Sequence, residues 1–238
     1  MALPKIYDWA RVRSALKLLA EEFPDEFRAW ILIGGGACWF YRESLLEAGD
    51  PDFRVPPVRP EDEIHWLSKD VDFMGLTEAE AAALLNSPFK PETHTISYRG
   101  LEVDFLEEGF RMTLNLVAAN RREVRTADFV FWVIDPATLY MEKCALLANK
   151  ARPQDRLHHA LLAEFLKYEF CTDVERPASL SASDWVDTAR TVKTADHKFF
   201  AADERLQRRL TAAIRQLQAH QHRSVKHWAK HYLPGYTE

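Results

Sequence analysis

Three aspartates stand inside apolar, strand-like runs downstream of a triple glycine, and this pattern limits the fold of the 238-residue chain more than any other feature. The strings are ILIGGGACWFY around Gly34, Gly35 and Gly36, LSKDVDFMG around Asp70 and Asp72, and LEVDFL around Asp104. An unpaired carboxylate in an apolar strand is costly and tends to take up a proton. Three of them ask for a shared cause, and a divalent cation is the simplest. Carboxylates that hold Mg²⁺ or Mn²⁺ beside a glycine turn form the physical core of a phosphoryl- or nucleotidyl-transfer site.

Strand periodicity puts Asp70 and Asp72 on one face, with Val71 and Phe73 on the other. Asp104 needs a neighbouring strand to join them. The segment TISYRGLEVDFLE reads as strand, tight turn at Arg99-Gly100, strand. A hairpin there, beside the Asp70–Asp72 strand, would bring Asp104 to the pair. Alternatives remain for each residue alone. Asp70 and Asp72 could serve as a cap and an exposed strand edge, and Asp104 could pair with Arg99 or Arg111. Lys69 would face away from the acids as a solvated lysine, whereas Ser68 falls on the acidic face, where it could touch a phosphate. Ala29 to Ile33 reads as a buried strand, Gly34 to Gly36 as a turn, and Ala37 to Leu46 as a helix. Backbone N–H groups at such a turn suit phosphate oxygens, although a plain strand-to-helix turn would use the same glycines.

Taken together, Gly34 to Gly36, Asp70-Val71-Asp72 and Asp104 resemble the nucleotidyltransferase superfamily built on a DNA polymerase β-like core. The subgroup most similar is the AbiEii-type nucleotidyltransferases, some of which are toxins of toxin–antitoxin pairs. LSKDVDFMG is similar to that group's Ser/Thr-x-Asp-x-Asp string. LYMEKCALLANKARPQDRLHHALL resembles its helix–turn–helix with a lysine and, a dozen residues on, an Arg and Asp. The resemblance implies that Lys143 is a nucleotide-phosphate lysine and Asp155 its polar companion. It implies an NTP donor, a divalent metal on Asp70, Asp72 and Asp104, and transfer of an NMP to a hydroxyl on RNA, protein or a small molecule. An antitoxin partner is a further implication. Two departures stand out: Gly36 replaces the hydroxyl residue common after the glycine pair, and Asp50 to Trp66 is a long proline-rich insertion. They leave a second possibility, a non-catalytic nucleotide- or partner-binding module on the same fold. Read without the resemblance, Lys143 would be an ordinary surface lysine.

The remaining pattern bounds the rest. Apolar residues make up 47%, charged residues 28%, and the net charge is −5, so no bulk field draws in nucleic acid. The stretch from His197 onward is nevertheless rich in Arg, Lys and His, which leaves room for a local basic face and an RNA acceptor. His227 and His231 lie at i, i+4 but lack the Glu of a zinc-protease helix. His220 and His222 diverge on a helix, so a solvated face is expected. Cys38, Cys144 and Cys171 show no paired spacing, no run reaches the length of a membrane span, and the N-terminus lacks a signal-peptide layout; the expected location is cytoplasmic.

The expected architecture is α/β (α+β). Residues 1–135 form a small mixed sheet with an N-terminal helix, and residues 136–238 are helical. Expected elements are helices over Tyr7 to Phe23 and Thr77 to Leu85, the latter with a Thr77–Glu80 capping box. Strands follow over Met112 to Ala118 and Asp128 to Ile134, the second buried on both faces. Helices then run from Pro136 to Lys150, Gln154 to Phe170, Ala182 to Thr191 and Asp203 to Tyr232, with a linker over Glu175 to Ser183. Trp39, Phe40 and Tyr41 read as core packing, with one ring left as a stacking candidate.

Overall fold

The computed structural model describes residues 8–60, 66, 68–150, 152–175, 203–218 and 226. The linker over 175–183 beyond its first residue, the helix over 182–191 and all four C-terminal histidines named above lie outside them, as does Tyr7. The fold is α/β: helices and one open, mixed sheet of seven strands. Strands are β1 (Ile31–Leu32), β2 (Val71–Met74), β3 (Phe89–Lys90), β4 (Thr95–Tyr98), β5 (Leu101–Phe105), β6 (Arg121–Arg125) and β7 (Val130–Ile134). Their spatial order is β3-β4-β5-β2-β1-β7-β6. The pairs β1/β7 and β2/β5 are parallel and the others antiparallel.

Local chemistry accounts for most elements. Helix α1 (Trp9–Glu22) begins at Asp8, whose carboxylate accepts the Arg11 N–H, and buries Val12, Ala15, Leu16 and Leu19 along one stripe. Helix α3 (Glu78–Leu84) carries the full capping box: Thr77 accepts the Glu80 N–H, and Glu80 accepts the Thr77 N–H. The β4–β5 hairpin turns at Arg99 (φ 46°) and Gly100 (φ 82°), the positive-φ pair that a two-residue turn matched to strand twist requires.

Three expectations fail. The segment expected as a strand over Met112 to Ala118 is helix α4 (Leu114–Ala119), because the Thr113 hydroxyl caps the Leu116 N–H and starts a turn. The strand on that side of the sheet is instead β6, the charged RREVR, an edge partner of β7. Charge on an edge strand blunts further pairing, which is why apolar pattern alone misses it. Nor is β7 buried on both faces: Val130 is exposed and Trp132 half-buried beneath Arg121, whose guanidinium lies 4.2 Å from the ring centroid. Finally, Gly34 to Gly36 do not form a turn ahead of the helix; they are the first turn of α2 (Gly34–Ala48) itself.

The chain divides into two compact units. Met1–Ala48 with Val55–Leu162 holds the sheet, and Gly49–Arg54 with Ala163–Glu238 forms the second. The cut differs from the expected 135/136 boundary because α5 (Pro136–Asn149) belongs with the sheet. Asp135 caps it, Glu142 is buried and accepts the N–H groups of Phe110 and Arg111, and Lys143 is buried. Helix α6 (Pro153–Glu175) starts in the sheet unit. In the second unit, Arg209 of α7 (Glu204–Gln218) bonds Asp50 and Glu175, while Arg205 bonds Asp203, Glu164 and the Asp52 carbonyl. The Phe53 ring lies 5.5 and 5.1 Å from these two guanidinium groups. The first residues of the proline-rich insertion therefore anchor α7.

Candidate functional site

Register builds the acidic face. The parallel β2/β5 ladder sets Asp72 opposite Asp104, with Val71 opposite Val103 and Phe73 opposite Phe105. Alternation sends the two aspartates to one side of the sheet and the two phenylalanines to the other. There Phe73 and Phe105 stack at 5.6 Å and meet Trp30 edge-on or tilted at 5.0 and 5.6 Å. A one-residue slip would bury both acids in that aromatic cluster, so the apolar face enforces the acidic one.

The glycines reach the same place through β1. Ile33 extends the ladder by donating to the Asp72 carbonyl, at 3.0 Å, and the chain then turns into α2. Gly34 takes φ +58°, and a Cβ there would lie 2.1 Å from Asp72 Oδ2. The Gly35 N–H donates to that same Oδ2 at 3.2 Å. A Cβ on Gly35 would come 2.9 Å from Ser68 Oγ and 3.9 Å from His158 Cε1. Gly36 is different: its missing Cβ would meet Leu32 at 2.8 Å and Val12 at 3.5 Å, so it serves close packing of α2 on the core.

Ser68 donates to Asp70 Oδ1 at 3.2 Å, which leaves Asp70 turned toward the hydroxyl. Asp104 is buried, and its Oδ1 has no hydrogen-bond partner among the described residues. Arg99, one of its alternative partners, bonds Glu22 at 2.7 Å instead. Burial, and then the neighbouring charges of Asp70 and Asp104, push the Asp72 carboxyl well above the usual range. Burial and Asp70 raise Asp104 to about 6, and burial raises Asp70 as well. Glu102 shares the face of Asp104 but is engaged by Ser97 at 2.6 Å, Thr95 at 3.0 Å and Lys90 at 3.3 Å. Among the described residues, no three His, Cys, Asp or Glu side chains are gathered as a closed metal cage. Asp72 accepts from the Gly35 N–H and Asp70 from the Ser68 hydroxyl.

Does a divalent cation fit these residues? The donors are all carboxylate oxygens, the type that Mg²⁺ and Mn²⁺ prefer. One of them, Asp104 Oδ1, is buried and unsatisfied among the described residues, and burial first, then the neighbouring acids, raises the Asp72 and Asp104 carboxyls. The residues offer the donor type that such an ion takes, although no described group of three could hold it unaided.

Lys143 is not a surface lysine. Its Nζ donates to Asp155 Oδ1 at 2.8 Å, with the two side chains 6% and 0% exposed. Arg152 holds the other oxygen at 2.6 Å. Burial would raise the Asp155 carboxyl, but Arg152 and Lys143 outweigh it and hold it below its ordinary value. The Gly35 N–H and then the Lys143 charge oppose the rise of the Asp72 carboxyl without reversing it. Sequence reasoning overlooked His158, one turn along α6 from Asp155. It is buried, both ring nitrogens lack partners among the described residues, and Trp66 packs on it at 5.5 Å. The available signal was its i, i+3 spacing from Asp155, which puts both on one helix face. Trp39 and Tyr41 are buried, whereas Phe40 packs against Trp9, Tyr41 and Phe131.

No family profile matches the chain, and no curated protein matches it either. Among the described residues, no helix is long and apolar enough to cross a membrane.

Proposed function

We propose that the protein is a metal-dependent nucleotidyltransferase that moves an NMP from an NTP to an acceptor hydroxyl, in the manner of the AbiEii-type group it resembles. One observation carries the reading: the register that sets a half-buried Asp72 and a buried Asp104 side by side at the glycine start of a helix. Asp70, Asp72 and Asp104 would hold Mg²⁺ or Mn²⁺. When bound, the ion neutralises phosphate charge and polarises the phosphoryl oxygens.

The chain's own groups do the rest. The missing side chains of Gly34 and Gly35 let Asp72 and Ser68 pack against the backbone there, and Ser68 offers a hydroxyl to a phosphate at the same spot. Asp104 would complete the metal's shell and help take the acceptor's proton. The acceptor oxygen then bonds to the α-phosphorus while the α–β bridging oxygen leaves with pyrophosphate. Lys143, fixed by Asp155, contributes positive potential toward the charge that develops on the leaving group. The acceptor is RNA, a protein or a small molecule, and an antitoxin partner belongs to the same proposal, as does a cytoplasmic location.

Incubation with each α-labelled NTP, Mg²⁺ or Mn²⁺, and total RNA or lysate tests the reading. Label should enter an acceptor with release of pyrophosphate, and Asp72→Ala or Asp104→Ala should abolish transfer while the circular dichroism spectrum stays native. Undiminished transfer by either variant would remove the mechanism. The open arrangement of the three acids favours a second reading, a nucleotide-binding module without turnover. Metal-dependent NTP binding with no labelled product would select it.

A further inference from the structure

His158 is buried, with 4% of its surface exposed, and neither ring nitrogen has a hydrogen-bond partner among the described residues. A neutral imidazole carries one donor and one acceptor, and burying both unpaired is costly. Such a group calls for a cause. Its position supplies one. The ring borders the Cα face of Gly35, beside Ser68, on the helix that also carries Asp155. Trp66 packs on the ring at 5.5 Å, and Trp39 packs on Trp66 at 6.0 Å. Both indole N–H groups are likewise buried without partners. The Arg42 guanidinium lies 5.0 Å from the Trp39 ring and 5.9 Å from the Trp66 ring.

We infer that His158 is a polyphosphate-binding residue, donating its ring N–H to a phosphate oxygen at the Gly35 start of α2. This rests on the nucleotidyl-transfer reading and adds a residue and a role to it. Indole N–H groups only donate, so this corner offers several donors, while the nearby Arg42 guanidinium is paired with Glu43 at 2.6 Å. A ligand made of acceptor oxygens complements it, and the triphosphate tail is such a ligand. The unpartnered Trp30 N–H carries no such meaning, because it lies among the rings of Phe27, Phe73 and Phe105, whose π faces accept weakly. Burial, and then the charge of Lys143, hold the His158 ring neutral. A neutral ring presents its N–H without adding a cation beside Lys143.

The test uses the full chain with Mg²⁺ and two probes, inorganic pyrophosphate and ATP, titrated by calorimetry. In parallel, the imidazole ¹⁵N resonances are followed by NMR. Saturating pyrophosphate should shift the His158 ring nitrogens and leave those of His159, stacked on Tyr140 at 4.7 Å, in place. His158→Ala should bind pyrophosphate roughly tenfold or more weakly, the usual effect of losing a hydrogen bond to a charged group. His158→Gln, which keeps a donor, should recover part of the loss. Unshifted His158 resonances at saturation, or wild-type affinity in His158→Ala, would overturn the assignment while the transferase reading stands on its labelled product. If the folded wild-type protein binds neither probe, both fall together. Should His158→Ala fail to fold, the wild-type resonances decide.

Discussion

Gly34 combines a left-handed backbone with a neighbour 2.1 Å from where its Cβ would sit, and that neighbour is a site carboxylate. A side chain there strains the backbone by about 1 kcal/mol or more and also displaces Asp72. Gly34→Ala should therefore lower unfolding stability in urea by about 2 kcal/mol or more and eliminate transfer. Gly35→Ala should cost less, because its methyl meets the Ser68 hydroxyl, which can rotate away. Equal stability for Gly34→Ala and wild type would show that the close approach does not exist. Asp104 makes a second residue-scale statement. Its carboxyl is raised to about 6, so the folded state holds that proton more tightly than the unfolded chain. Such a group works against folding as pH rises from the unfolded value through 6. Asp155, Glu102 and Asp203 are lowered and act in the opposite sense, so only a difference isolates Asp104. Without divalent metal, Asp104→Asn should gain melting temperature relative to wild type as pH goes from 4 to 7. A difference that stays flat with pH would contradict the burial of an ionised Asp104.

At the scale of elements, legibility followed locality. The α1 stripe, the Thr77–Glu80 box, the Arg99-Gly100 turn and the Asp135-Pro136 helix start are each written within a few consecutive residues, and each stands in the structure. Elements settled by distant partners were not legible: β6 is a strand only because β7 pairs with it, and β3 only because β4 does. The Asp72–Asp104 juxtaposition was readable because a hairpin turn and two alternating strings left few registers that bury the phenylalanines. Lys143 shows the limit, since its burial depends on α6 delivering Asp155. Breaking a buried ion pair usually costs about 3–5 kcal/mol, softened here because Arg152 still holds Asp155. Lys143→Met and Asp155→Asn should each destabilise the fold, and the double variant should lose at least about 1 kcal/mol less than their sum. Additive losses, measured by urea unfolding, would contradict a direct pair.

For the molecule as a whole, the sequence pointed to an α/β fold but misplaced its internal boundary, because charged residues of α5 are buried with the sheet instead of facing water. The basic character of the chain's last part is also less available than composition suggests. Among the described residues of α7, Arg205 and Arg209 are tied to acids, while Arg208 and Arg215 are exposed. The account turns on the acidic face beside Gly35 acting as a metal-holding site for a nucleotide. Electron paramagnetic resonance of Mn²⁺, titrated into the protein with and without ATP, reads this directly. Wild type should bind Mn²⁺ more tightly when ATP is present, and Asp72→Asn and Asp104→Asn should each lose that binding while remaining folded. Mn²⁺ binding by both variants at the wild-type level would contradict the account.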